Sequence, residues 1–371
     1  MAAREHRIAL VGAGRIAAVH LGYARSVPGA RIVAVCDADA ERAEAFARDR
    51  GIPAAYADLA EMLRREEPTS VHVVTPPATH ARLALAAMEA GANVLVEKPM
   101  AMTVAEAEEM IATAERHGRR LCVDHNRLFD PVVRRARSLV DAGAIGEVVS
   151  VEAHQGVNLA EGGAAGAGRH WSVGDPFAPL YNLGPHPLYL AEAFAGAFDD
   201  IAIRGRRSGP EASLFGEIRA LLTGSGADGH VVLSIAAQPY LNHLAIFGTK
   251  GTLRANLNTM TLVFERTRRL PKLVAKLAAN LEPAGQMIAA TAANVAAVAL
   301  RRMRLYPGIG EAIRRFYRSL EEGAPPPVDP RSGLAVVRFL NAIEAGLRAE
   351  PAPARAPERG NGSARGVEWT S

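Results

Sequence analysis

The chain predicts an α/β domain followed by an α+β domain: a doubly wound parallel sheet at the N-terminus, then an antiparallel sheet with a helical excursion. Three observations predict it. Up to about residue 127, short apolar runs alternate with helical stretches at the spacing of βα units. Past Ile145-Gly146, strand-like runs follow one another mostly without intervening helices. The first apolar run also ends in a glycine turn that opens directly into a helix. The expected units are residues 1–127, residues 128–349 with the excursion at about 270–305, and a disordered tail at 350–371.

Arg7-Ile8-Ala9-Leu10-Val11 is the first strand, and Gly12-Ala13-Gly14-Arg15-Ile16-Ala17 is a G-x-G-x-x-A turn. Gly12 allows the tight turn, and Gly14 lets backbone N–H groups approach a pyrophosphate. Arg15 and Ile16 open the helix whose N-terminus favours that charge, and Ala17 permits close helix–strand contact. The next strand, Ile32 to Cys36, ends in Asp37, at the distance where a carboxylate bonds a ribose hydroxyl. Ala38 follows, with no basic or hydroxylic group, and the carboxylate would repel a 2′-phosphate. NAD is therefore expected rather than NADP. The competing reading is that Asp37 merely caps the helix from Asp39 to Arg50.

More βα units follow. Leu59 to Arg65 reads as a helix, and Val71 to Val74 as a strand ending in Thr75-Pro76-Pro77. A helix then runs from about Thr79 to Glu89, with Gly91 as its stop. Asn93 to Val96 is a buried strand that delivers Glu97, Lys98 and Pro99 at its carboxyl end, where open α/β sheets bind ligands. Pro99 has no N–H, so Lys98 is presented rather than paired, and a buried lysine suits proton transfer. Thr103 with Glu106 forms a capping box for a helix ending at Gly118. Leu121 to Asp124 is a strand leading to His125-Asn126-Arg127, and Asp130-Pro131 reads as an N-cap with Pro at the first helical position.

In the second part, Glu147–His154, Ile201–Arg206, Glu217–Leu222, His230–Ala236, Leu244–Phe247 and Leu253–Asn256 read as strands, with a mobile glycine-rich loop at Glu161–Arg169. Within Leu270–Arg304, Pro283 interrupts a helical reading before the alanine-rich run Met287–Leu300. A spanning helix needs about 20 predominantly apolar residues, and this run is shorter and broken by Thr291 and Asn294. It is expected to pack on the domain or a partner subunit, with membrane-surface docking as the alternative. Helices at Gly308–Glu322 and Arg331–Arg348 flank Pro325-Pro326-Pro327.

Composition narrows the function. Hydrophobic content of 49% and charged content of 22% are ordinary for a soluble globular protein. The net charge of +4 sits largely in arginines between Arg266 and Arg318, without interleaved aromatics, so no nucleic-acid partner is expected. Cys36 and Cys122 lie in apolar runs and read as buried thiols. With no signal-like N-terminus, a reducing, cytoplasmic setting is expected.

Taken in order, V-G-A-G-R-I-A at 11–17, C-D at 36–37, T-P-P-A-T-H at 75–80, V-E-K-P at 96–99, H-N-R-L-F-D-P at 125–131, N-L-G-P-H at 182–186 and I-F-G-T-K-G-T-L at 246–253 resemble the Gfo/Idh/MocA family. The resemblance implies an N-terminal Rossmann domain and a C-terminal open antiparallel sheet whose outer face commonly mediates oligomerisation. It also implies that nicotinamide meets a sugar, cyclitol or related polyol between the domains. Lys98 matches a lysine that contacts substrate and cofactor and aids proton transfer, and His186 matches an acid/base histidine. Thr75, Pro76, His80 and Glu97 fall on the cofactor side. Where the family usually has two aspartates this chain has Asn182 and Tyr189, and Asn182 cannot take a proton.

Hydride transfer at a carbinol carbon is the expected reaction, with Lys98 and His186 handling the proton. Asn126, His125, Asn182, Tyr189, His154 and Trp171 are candidate substrate contacts. No metal site is expected, since no histidines have ligand spacing. Two other classes stay open: a redox-neutral enzyme that retains NAD, and a non-catalytic NAD-binding regulatory or scaffold protein.

Overall fold

A computed structural model describes residues 5–157, 175–208, 214–266, 271–300 and 306–349. The glycine-rich loop, His170, Trp171 and the tail from residue 350 lie outside the described residues.

The first sheet contains β1 (His6–Val11), β2 (Ala30–Cys36), β3 (Ala54–Tyr56), β4 (Ser70–Val73), β5 (Asn93–Val96) and β6 (Leu121–Val123). All pairings are parallel, in the order β3-β2-β1-β4-β5-β6. The order in which successive strands are added changes side between β1 and β4, which opens a crevice above their carboxyl ends. The crossovers are α1 (Arg15–Ala24), α2 (Ala40–Arg50), α3 (Leu59–Glu66), α4 (His80–Glu89) and α5 (Val104–Arg116). The capping box on α5 forms as the spacing predicts, with Glu106 N donating to Thr103 Oγ1 at 3.2 Å and Thr103 N to Glu106 Oε2 at 3.0 Å. The short edge strand β3 escapes sequence reading because its three residues are half-buried and carry no apolar run.

After α6 (Pro131–Asp141), the second sheet is built from β7 (Val148–Gly156), β8 (Asp200–Ser208), β9 (Leu214–Thr223), β10 (Asp228–Ser234), β11 (Leu241–Gly248), β12 (Gly251–Asn256) and β13 (Thr261–Arg266). Its order is β13-β12-β11-β7-β10-β9-β8. The sheet is not wholly antiparallel, because β10 runs parallel to β7. Two helices unseen in the sequence, α7 (Ala178–Leu183) and α8 (Pro185–Ala195), lie between β7 and β8. Prolines obscured them, yet each helix carries its Pro in the first turn, where the missing N–H costs nothing. Helix α8 packs across β7 and β10.

The chain then forms α9 (Lys272–Ala299), α10 (Pro307–Glu322) and α11 (Pro330–Ala349). Pro283 does not end α9, which runs through it as one helix. No described helix is long and apolar enough to cross a membrane. Helix α10 returns to the first sheet and places Ile309, Ile313, Phe316 and Tyr317 in its core. Helix α11 serves both cores: Leu334 and Val337 join the first, and Leu340, Ile343 and Leu347 the second. Each of these fully buried side chains contributes roughly 1.5–3 kcal/mol, so α11 fastens one sheet to the other. Asp130 does not cap α6 with its side chain; Oδ1 accepts from Gly308 N on α10 at 3.2 Å instead. Cys36 and Cys122 are free and buried, as expected.

Candidate active site

A cleft of about 1740 Å³ opens at the switch point between β1 and β4. Gly12, Gly14, Arg15, Ile16, Asp37, Thr75, Pro76, Glu97, Lys98, Asn126, Asn182 and His186 all line it, so residues from both sheets' domains share one cavity.

The cofactor end is shaped by backbone. Gly12 has φ +107°, and a Cβ there would lie 2.7 Å from Val74 O, so the turn and the neighbouring strand end exclude a side chain. Around Gly14 a Cβ would meet nothing within 4 Å, leaving open space where a phosphate can approach. Gly14 also caps α1 without a side-chain acceptor, so the N–H groups of the first turn keep their donors for an anion. Asp37 is held by its own oxygens: Oδ2 accepts from Ala13 N at 2.8 Å and Oδ1 from Asp39 N at 3.0 Å. Asp39, not Asp37, caps α2, accepting from Arg42 N at 3.1 Å. These features fit a dinucleotide: the glycine turn and α1 for the pyrophosphate, the Asp37 carboxylate for a ribose. His80 supports this end from beneath. It is buried, with Nε2 2.8 Å from Thr75 O and Nδ1 2.8 Å from Pro99 O, so it ties the Thr75 loop to the end of β5 without lining the cleft.

At the other end, Lys98 Nζ donates to the backbone carbonyl of Asn182 at 2.7 Å. Burial lowers the lysine's pKa, Glu97 opposes that shift, and Arg127 adds to it. His186 is pushed well below its ordinary value, first by burial, then by the positive charges of Lys98 and Arg127. Its Nδ1 lies 2.7 Å from the Tyr189 hydroxyl, which also accepts from Arg127 N at 3.1 Å. The buried phenol has its own proton to place, and among the described residues Nδ1 is the acceptor in reach, so the phenol donates to it and neutral His186 carries its ring proton on Nε2.

Four expected substrate contacts lie elsewhere or are outside the described residues. His125 is buried and stacked on Tyr189 with centroids 4.3 Å apart, so it packs rather than contacts the cleft, and burial pushes it down to about 3. Tyr189 is likewise buried and reaches the cleft only through His186. His154 is turned away from the core-facing Val151 and Ala153 of β7, toward His230 and Glu152. Trp171 is among the undescribed residues. Sequence reading missed Arg127 and Tyr306, which also line the cleft; Arg127 stood in the quoted H-N-R run, while Tyr306 offered no signal.

A buried polar cluster under Lys98 was also missed. His20 Nε2 lies 3.2 Å from Glu97 Oε1 and 3.4 Å from Asp124 Oδ2, so one N–H is aimed between two carboxylates. Burial alone would push His20 down, but Asp124 and Glu97 outweigh it and raise it to about 9. Burial and the neighbouring Glu97 raise Asp124 to about 6 against the pull of His20. His20 Nδ1 lies 3.2 Å from His72 Nδ1, and His72 Nε2 lies 2.9 Å from the Tyr317 hydroxyl. Among the described residues, His20, Glu97 and Asp124 form the one group of three metal-type ligands within 4.8 Å. A protonated His20 between the two carboxylates already offsets part of their charge.

Fold and cleft together define a two-domain dinucleotide-binding protein. Residues 6–125 match the oxidoreductase family with an NAD-binding Rossmann fold, and residues 133–254 match the GFO/IDH/MocA C-terminal domain. The chain belongs to the Gfo/Idh/MocA family, and its first domain is an NAD-binding Rossmann domain. It is 38% identical over 138 residues to D-apiose dehydrogenase of Paraburkholderia graminis, covering 37% of each chain. It is 36% identical over 143 residues to D-glucoside 3-dehydrogenase of Escherichia coli, covering 38% of this chain and 41% of the relative. The matched stretch thus spans about two-fifths of the length of these relatives. Among solved structures, a Bordetella pertussis dehydrogenase in complex with NADH and UDP-GlcNAcA superposes with a TM-score of 0.77 at 20% identity, over 94% of this chain and 97% of that one.

Proposed function

We propose that this protein is an NAD-dependent oxidoreductase that moves a hydride between nicotinamide and a secondary alcohol or ketone of a sugar, cyclitol or sugar derivative. The observation that carries the reading is the shared cleft: Lys98 and His186 line the same cavity as the Gly12–Gly14 turn and Asp37. Names of relatives that act on apiose, glucosides and inositol support the carbohydrate class.

The bound nicotinamide supplies the hydride chemistry. The chain's own residues hold and move the proton. In oxidation of an alcohol, Lys98 is the acceptor, because burial favours its neutral amine. His186 acts as a donor: with Nδ1 facing the Tyr189 hydroxyl, Nε2–H is what it offers a substrate oxygen. Asn182 gives no proton; its carbonyl holds Lys98 Nζ in the cleft at 2.7 Å. A carboxylate–histidine relay is replaced by a phenol–histidine pair, with the amine as base.

The test is NADH formation from NAD on a panel of sugars and polyols, with mass spectrometry of small molecules released from the purified protein. We expect NADH from at least one panel member and a loss of ~10²-fold or more in turnover for Lys98→Ala, the scale of a positioned acid–base group. Dialysis-resistant NAD with epimerised or cleaved product and no net NADH would replace this reading with a redox-neutral one. NAD binding with no chemistry on any carbohydrate would remove the enzyme.

A further inference from the structure

Helix α9 is built the wrong way round for a helix that packs only on its own domain. It covers β13, the edge strand of the second sheet, and does so with polar side chains. Gln286 Oε1 accepts from Phe264 N at 2.8 Å while its Nε2 donates to Phe264 O at 3.0 Å. Asn294 Nδ2 donates to Thr259 O at 2.8 Å and Met260 O at 3.0 Å. Gln286 thus satisfies strand groups that a further strand would otherwise pair, and Asn294 ties the helix to the turn that leads into β13. The apolar side chains point outward: Leu277, Leu281, Ile288, Val295 and Val298 are 57–72% exposed. A helix packed on one core would place that stripe inward.

The outward stripe has a definite period. Val274, Leu281, Ile288 and Val295 recur every seven residues, and Leu277, Ala284, Thr291 and Val298 fall three residues after each. This is the a/d pattern of a two-helix seam, sustained over four heptads, with β-branched residues at three of the four a positions. No charge interrupts it, since Lys272, Lys276 and Glu282 are the only charged residues of the helix. Twenty-eight residues make a helix about 42 Å long. With Met287 and Leu300 its exposed apolar side chains present on the order of 800 Å², the area each partner contributes to a standard-size interface.

We propose that α9 is a dimerisation seam and that its occupant is the same helix of a second copy of this chain, related by a two-fold axis. An isologous contact of this kind needs one self-complementary patch, which a heptad stripe supplies. A membrane surface is the weaker occupant. Helices that lie in an interface carry a solvent-facing polar side rich in Lys and Arg, whereas the sequence of α9 has only two lysines and its Gln286 and Asn294 are bonded to β13 and the turn before it.

The experiment is the molar mass of the full chain by light scattering after size exclusion, for wild type and for Leu281→Asp with Ile288→Asp. Both positions are more than two-thirds exposed, so the charges should leave the fold intact, and NAD affinity checks that. Val295→Lys, one heptad on, should act the same way. We expect the wild type to be an even-numbered assembly and both variants to fall to half its mass with NAD binding retained. A monomeric wild type overturns the proposal, as does an assembly whose mass the variants leave unchanged. A monomer that sediments with phosphatidylglycerol vesicles, and is released by the same substitutions, assigns the stripe to membrane instead.

Discussion

The phenol of Tyr189 takes a hydrogen bond from the Arg127 amide and donates one to His186 Nδ1, and so fixes which ring nitrogen carries the proton. Tyr189→Phe should keep the stacked packing on His125 but release His186 to either tautomer. One neutral hydrogen bond is worth about 1 kcal/mol, so kcat should fall roughly 5- to 10-fold with little change in NAD affinity. A kcat equal to wild type would leave Tyr189 a packing residue only. At this scale the sequence was legible where a motif fixed the backbone. Lys98 follows from a strand running into Glu-Lys-Pro, and His186 from the resemblance of N-L-G-P-H at 182–186 to the family's pattern. From sequence Tyr189 is expected to touch substrate directly; its hydrogen bond to His186 instead depends on both residues sharing a turn of α8, which the prolines at 185 and 187 conceal. His125 misled for a similar reason, because a residue just past a strand end can turn either into the crevice or beneath it.

Among the elements, the β1–α1 turn separates two roles that one motif combines. At Gly12 both φ and space exclude a side chain, so Gly12→Ala should destabilise the apoprotein by about 1–3 kcal/mol, the cost of a strained backbone position. Gly14 has φ −88° and open space, so Gly14→Ala should leave apo stability unchanged or raise it by about 0.4–1 kcal/mol through the unfolded state. Its methyl group should instead block the phosphate approach and weaken NAD. Unfolding midpoints and NAD titrations of the two variants test the separation; equal effects on stability would mean that the turn is not built this way. The βα alternation of the first sheet, and so its parallel doubly wound character, was readable from hydrophobic period, whereas β3, α7 and α8 were not. The parallel pairing of β10 with β7 was not readable, because it joins strands far apart in sequence. Neither was the continuity of α9 through Pro283, where contacts along β13 outweigh one lost helix hydrogen bond.

Across the whole molecule, three strands of the first sheet and the helices α1 and α10, far apart in sequence, converge on one buried ionic cluster that no local pattern announced. His20 from α1 meets His72 from β4, Glu97 past β5 and Asp124 past β6, and Tyr317 of α10 closes the chain through His72. His72 is held neutral, well below its ordinary value, by burial and by the His20 charge. The stability consequence has a definite sign. The folded chain holds a proton on His20 up to about 9, against about 6.5 for an unperturbed imidazole. That contribution is fully present below pH about 6.5 and is lost as pH rises toward 9, an amount on the order of 3 kcal/mol. Asp124, raised to about 6, has the same sign at lower pH, so its share is lost between about pH 4 and 6. Glu97 is held below the usual carboxylate range, burial being outweighed by His20 and Lys98, and it contributes with the opposite sign as pH rises through the acid range. Lys98, lowered by burial, works against the His20 trend in the alkaline range. The decisive measurement is therefore a difference: denaturant unfolding of wild type and His20→Gln from pH 6 to 9. The wild type should lose stability relative to the variant as pH rises, and parallel curves would mean that His20 is not protonated in the fold. Since Lys98 stands directly above the cluster, the same substitution should also lower the pH at which Lys98 loses its proton only if it leaves Glu97 and Asp124 uncharged. If they stay charged without His20, the Lys98 limb of the kcat profile should move up instead.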